Sequence, residues 1–292
     1  MIRSRSEGWS HAKIDGHDNE RAFGQTLIDN PILVRRLWSR RFEATEENPD
    51  FVISVDGSKH VDSVLGGKTT SKVDVSISLG DEYLGCSIKK SDTGQVWLTS
   101  VDRFLKLLAE KESKPVDPDF KKGLRLFIGG EKNLEEHQDL FKEGLRKSKM
   151  TTPKTYARES ENFRLSCGTI KELDSGVYEA LLEGFRGSIG SITELAFATG
   201  AASDESDRAK LVVYNKPDKL ITFDTENLKL SAPAFGDLIN PGPQNGGSTI
   251  WLPWGFLQMH HPQVENLMQF HHKLAALSTH FEESCVVIDL KG

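Results

Sequence analysis

Residues 72–78, Lys-Val-Asp-Val-Ser-Ile-Ser, and residues 84–90, Leu-Gly-Cys-Ser-Ile-Lys-Lys, alternate apolar and polar side chains. A period of two marks a strand with one buried face. Val73, Val75 and Ile77 fall on one side of the first stretch, and Asp74, Ser76 and Ser78 on the other. In the second stretch Leu84, Cys86 and Ile88 alternate with Ser87 and Lys89. A hairpin closed by the loop Gly80-Asp81-Glu82-Tyr83 pairs Leu79 with Leu84 and hence Asp74 with Lys89. That register puts both apolar sets on one face. Two readings of the Asp74–Lys89 pair stand side by side. One is a cross-strand ion pair on a solvated hairpin, an ordinary sheet stabiliser. The other is an active site, with a carboxylate to hold a divalent metal and a lysine to orient or activate water.

Around this hairpin the chain offers enough residues, 292, for one large domain or two modest ones. Its formal charge of -6 is not that of a protein that coats nucleic acid non-specifically, so any DNA contact must come from a local basic patch. Cys86, Cys167 and Cys285 are far apart and form no Cys-x-x-Cys pair, which fits a reducing, cytoplasmic setting. No run of about 18 apolar residues suggests a membrane span, and the start of the chain lacks the apolar segment of a secretory signal.

Read in order, a helix from Asp15 carries Phe23, Leu27 and Ile28 as an apolar stripe, with Glu20 beside it. Asn30-Pro31 caps a second helix over 31–42. Strands are expected at 51–55, in the hairpin and at 124–128, with helices at 101–112 and 133–147. A helical crossover between strands of one sheet makes them parallel, so the sheet is expected to be mixed. Lys142, Arg146, Lys147, Lys149, Lys154 and Arg158 form a basic run suited to phosphate contact or to a solvated helix end. Further on, a helix over 175–199 and a hairpin at 211–223 are expected. Residues 231–256 are rich in Pro and Gly and read as a loop, in which Gln244 and Asn245 could address adenine edges. A last helix is expected over 262–279 and a last strand over 285–289.

Asp74 in Lys-Val-Asp-Val, then Ser87-Ile88-Lys89, then Gln95, together with the order of elements over 15–147, resemble the PD-(D/E)XK nuclease superfamily, the fold of many restriction endonucleases. The resemblance implies an α/β (α+β) protein: a restriction-endonuclease-like mixed β-sheet core flanked by helices at 1–149, then a mixed α/β DNA-recognition region at 150–292. It implies that Asp74 ligates Mg2+ with help from the Ile88 carbonyl, and that Lys89 positions the attacking water. The chain departs from the family pattern at Ser87, where an acidic ligand usually stands. Glu20 on the first helix is the expected second carboxylate, with Gln95 supporting the site or touching the DNA backbone. The implied partner is double-stranded DNA, with a homodimer as the default assembly.

Two other constellations carry less. Ile288-Asp289-Leu290-Lys291 repeats the Asp-x-Lys pattern, but the given sequence ends before the helix that should follow. His260, His261, His271 and His272 suggest a metal cluster, yet adjacent residues on a helix point in different directions. The leading expectation is a Mg2+-dependent DNA endonuclease of the restriction type. The alternatives are a non-catalytic DNA-binding or assembly protein that keeps the fold, and a repair or phage structure-specific nuclease.

Overall fold

A computed structural model describes residues 19–43, 49–55, 59–140, 143, 164–260 and 265–290, save the side chains of residues 131 and 245. The helices are α1 (19–29), α2 (Pro31–Trp38), α3 (Val101–Glu112), α4 (Pro118–Ile128), α5 (Glu131–Leu134), α6 (Cys167–Leu173), α7 (Ser175–Glu194), α8 (Thr225–Ser231) and α9 (Leu274–His280). The strands are β1 (Val52–Val55), β2 (His60–Asp62), β3 (Lys68–Thr70), β4 (Val75–Leu79), β5 (Glu82–Lys89), β6 (Thr93–Thr99), β7 (Leu211–Asn215), β8 (Lys219–Asp224), β9 (Thr249–Leu252), β10 (Gly255–His260), β11 (Leu267–Lys273) and β12 (Cys285–Asp289).

The chain divides into two compact units, and both run across the boundary at 149/150 expected from the sequence. The first takes residues up to Asp92, Phe197–Leu228 and the stretch from Glu283 onward. Its six-stranded sheet has the order β1-β4-β5-β7-β8-β12. Every pairing is antiparallel except β5 with β7, so the sheet is mixed, as expected. The parallel partner comes from beyond residue 200, however, and not from Leu124–Ile128.

The apolar face of this sheet carries Val75, Ile77, Leu84, Cys86, Ile88, Leu211, Val213, Leu220 and Ile288. Phe23 and Leu27 of α1 and Leu33, Val34, Leu37 and Trp38 of α2 complete that core. The Asn30 side chain accepts from the Leu33 N–H at 3.0 Å and caps α2 before Pro31. Arginines on α2 and just after it tie it to other parts of the first unit. Arg36 and Arg40 donate to the carbonyls of Asp289 and Ser284, and Arg41 pairs with the buried Asp224 carboxylate at 2.9 Å.

The hairpin forms with a tighter turn than expected. Leu79 pairs with Glu82, leaving Gly80-Asp81 as a two-residue turn. Gly80 has φ 58°, the Gly-first pattern of a type II′ turn. Val75 therefore faces Cys86, which sets Asp74 across from Ser87 instead of Lys89. The shift moves each strand by an even number of residues in total, so the two faces keep their composition.

The second unit comprises Thr93–Ala196 and Lys229–Glu282. Its antiparallel sheet has the order β6-β11-β10-β9. Trp97 and Phe270 stack at 5.3 Å on the inner face and meet Phe104 of α3 at 5.9 and 5.8 Å. Helices α4 and α7 cross closely: a Cβ on Gly184 would fall 2.3 Å from ring atoms of Phe120, and one on Gly123 would fall 3.0 Å from Leu181 Cβ.

Three sequence expectations fail here. Residues 124–128 end a helix instead of forming a strand. Asp117 Oδ1 accepts from the N–H groups of Asp119 and Phe120, and Pro118 follows at the first helical position. Burial of Leu124, Leu126, Phe127 and Ile128 in succession made a helix resemble a strand. Residues 267–273 form a strand, because Met268, Phe270 and His272 alternate inward against half-buried neighbours. The Pro- and Gly-rich stretch at 231–256 supplies β9 and the start of β10. The segment expected as a helix over 133–147 is helical in turns through residue 140 among the described residues.

Helix α7 starts on a specific cap. Asp174 Oδ1 accepts from the Val177 N–H at 3.1 Å, and its other oxygen takes Lys122 Nζ at 3.2 Å. The Val177 N–H, then Lys122, hold the carboxyl below its ordinary pKa against a small burial penalty. Loss of the cap in Asp174→Ala is expected to cost about 0.5–2 kcal/mol in urea unfolding at pH 7. A depressed folded-state pKa means that the wild type keeps this contribution above the unfolded-state value, about 3.9, and loses it as pH falls through the lower folded value. The gap between variant and wild type should therefore narrow in acid; a gap that widens would contradict the assignment.

Candidate active site

Strand alternation turns Asp74, Ser87 and Lys89 away from the apolar core and onto one face of the six-stranded sheet. Asp74 stands just before β4, and its backbone N–H bonds the Cys86 carbonyl at 2.9 Å. Its Oδ2 accepts from the Ile88 backbone N–H at 2.7 Å and from Ser87 Oγ at 3.2 Å. Lys89 Nζ in turn donates to Ser87 Oγ at 2.7 Å and lies 3.5 Å from the Ile88 carbonyl oxygen. The serine at the unexpected position is thus the link between carboxylate and ammonium. Ser87 is buried while Asp74 and Lys89 are half-buried, so the group is open at its charged ends and not a solvated surface pair.

Lys72 adds a second amine that the sequence reading did not single out. Burial, with the Lys89 ammonium next, lowers its pKa to about 7 against the pull of Asp74. Its stem runs past Gly200, where a Cβ would come 3.2 Å from Lys72 Cε. The usable signal was the two-residue spacing from Asp74, just ahead of β4. Beneath them, burial and then the Asp74 charge push the Cys86 thiol up to about 12, so Cys86 serves as core and not as a nucleophile.

The other expected site residues fall as follows. Glu20 is half-buried on α1, whose Phe23 and Leu27 pack on the apolar face. Gln95 lies on β6 in the second unit, where its Oε1 accepts from Gln269 Nε2 at 2.8 Å. Gln244 is exposed in a short turn at Gln244–Gly246. Lys142, Arg146, Lys147, Lys149, Lys154, Arg158 and the Asn245 side chain lie outside the described residues. His271 and His272 point to opposite faces of β11, His272 inward and buried. Among the described residues no group of three or more His, Cys, Asp or Glu side chains is arranged to hold a metal ion. Among them, too, no helix is long and apolar enough to cross a membrane.

No protein-family model matches the sequence, and comparison with curated proteins finds no match.

Proposed function

We propose that the chain is a Mg2+-dependent DNA endonuclease of the restriction type, built on a restriction-endonuclease-like core in its first unit and acting on double-stranded DNA. One observation carries this reading: a carboxylate and an ammonium are tied through Ser87 Oγ on one face of a mixed sheet. Hydrolysis of a phosphodiester needs positive charge placed against an anion that is slow to react with water.

The donor set fits Mg2+ at its lower bound. Such ions are held in phosphate-handling sites through one or two carboxylates, with substrate phosphate oxygens and water filling the remaining positions. Asp74 would supply the carboxylate and Ile88 the nearby carbonyl. When bound, the ion would lower the pKa of water and neutralise charge at the phosphate. The chain's own contribution is positional. The Ile88 N–H and Ser87 hydroxyl fix Asp74 Oδ2 and leave Oδ1 for another partner. Lys89, steadied by Ser87, orients water and meets negative charge developing on the phosphate. Lys72 adds positive charge to the same pocket at and below neutral pH. Two copies of the chain would supply one site for each strand of a duplex.

A second reading, a DNA-binding protein without cleavage, is favoured by the lack, among the described residues, of a group of three or more His, Cys, Asp or Glu side chains arranged to hold a metal ion. Incubation of the protein with plasmid and phage genomic DNA, in Mg2+ and in EDTA, separates the two. Discrete fragments in Mg2+ alone are expected. Retained binding with no cutting under any divalent metal would overturn the nuclease reading, and preference for branched or single-stranded DNA would move it to a repair or phage nuclease.

A further inference from the structure

The sheet of the second unit buries one face against its helices, so its outward positions should be polar. Several are aromatic instead. Trp251 on β9 is 37% exposed. Next to it, Phe256 on β10 stacks on His271 of β11, with ring centres 4.6 Å apart and planes 5° from parallel. Lys273 Nζ lies 3.8 Å from the Trp251 ring centre and 5.3 Å from that of Phe256. Gln258 Nε2 donates to Gln269 Oε1 at 2.9 Å and lies 3.1 Å from His271 Nε2, so amides continue the platform.

Charge agrees with the shape. Strands β6, β9, β10 and β11 contain no Asp or Glu, in a chain with 43 such residues. Burial, with His260 next, holds His271 below the usual imidazole range, which leaves it a neutral ring near pH 7. The Trp251 position is prepared locally: a Cβ on Gly242 would fall 2.8 Å from the indole Nε1, so only glycine leaves the ring its place.

We infer that this face is a stacking platform for unpaired nucleobases of a DNA strand, with Trp251 and the Phe256–His271 pair as the stacking surfaces and Lys273 for the adjoining phosphate. Bases present a π-face whatever their sequence, and flat rings beside one cation suit an unstacked strand better than a duplex groove. The inference rests on the nuclease reading for its choice of ligand.

The test is fluorescence anisotropy of the full chain with a labelled thymidine oligomer of about 12 nucleotides in EDTA, a length within the usual site size. The oligomer should bind about tenfold more tightly than an abasic strand of equal length, and Trp251→Ala or Phe256→Ala should each weaken it about tenfold. Trp251→Phe should restore most of the affinity. Equal binding of the abasic strand would overturn the inference. So would unchanged affinity in both alanine variants with wild-type melting behaviour, or displacement by a neutral glucan oligomer. A protein that stacks thymidines but cuts nothing in Mg2+ keeps this inference and loses the nuclease reading; one that cuts duplex DNA without binding the oligomer does the reverse.

Discussion

Lys89→Ala is expected to slow Mg2+-dependent DNA cleavage by about 100- to 1,000-fold, the usual scale for removing one preorganised charge from a reacting centre. The ammonium is held by Ser87 Oγ at 2.7 Å and by the end of a strand, so it is in place before substrate arrives. Its loss removes the charge that the proposed mechanism sets against the phosphate without opening the core, because Lys89 is not part of the apolar cluster that holds Ile88. Single-turnover rates with enzyme in excess should fall while DNA affinity changes little. A variant that cleaves within about twofold of wild type would mean that Lys89 is a cross-strand structural contact and nothing more.

Trp254→Ala should have the largest effect on stability, about 3–5 kcal/mol in urea unfolding. The indole is fully buried, 6.2 Å from the Phe270 ring centre. Its Nε1 donates to Thr193 Oγ1 at 2.9 Å, and that hydroxyl donates to the Ile189 carbonyl at 2.7 Å. Truncation leaves a cavity between the sheet and α7 and removes one partner of a buried hydroxyl. Trp254→Phe keeps most of the volume and should cost less than the alanine variant. A loss under about 1 kcal/mol for the alanine variant would contradict the packing described.

The parts of the fold written in the local period were legible. Alternation from Val73 to Ser78 and from Leu84 to Lys89 fixes which side chains share a face, and the structure keeps both faces. The pairing of Asp74 with Ser87 was not legible and Lys89 was expected in its place, since Gly80 at φ 58° allows a turn two residues shorter and brings Ser87 between the two charges. Leu124–Ile128 and Leu267–Lys273 were misread for different reasons. In the first, burial of Leu124, Leu126, Phe127 and Ile128 covers most of the helix end and imitates a strand, and in the second the alternating Met268, Phe270 and His272 were read as part of a helix that begins only at Leu274. The parallel neighbour of β5 arrives from residue 211 onward, a long-range pairing that no window around the hairpin contains. Lys72 needed the tertiary fold as well, because its place in the site depends on burial and on the passage left by Gly200.

The most direct measurement is cleavage of supercoiled plasmid by the wild type and by Asp74→Asn, each in Mg2+ and in EDTA. The asparagine keeps an oxygen acceptor for the Ile88 N–H but removes the charge that would hold the ion. Nicked and linear DNA should form with the wild type in Mg2+ alone, and not with the variant in either condition. Cleavage by Asp74→Asn at the wild-type rate, or none by the wild type under any divalent metal, would contradict a hydrolytic site at Asp74 and Lys89.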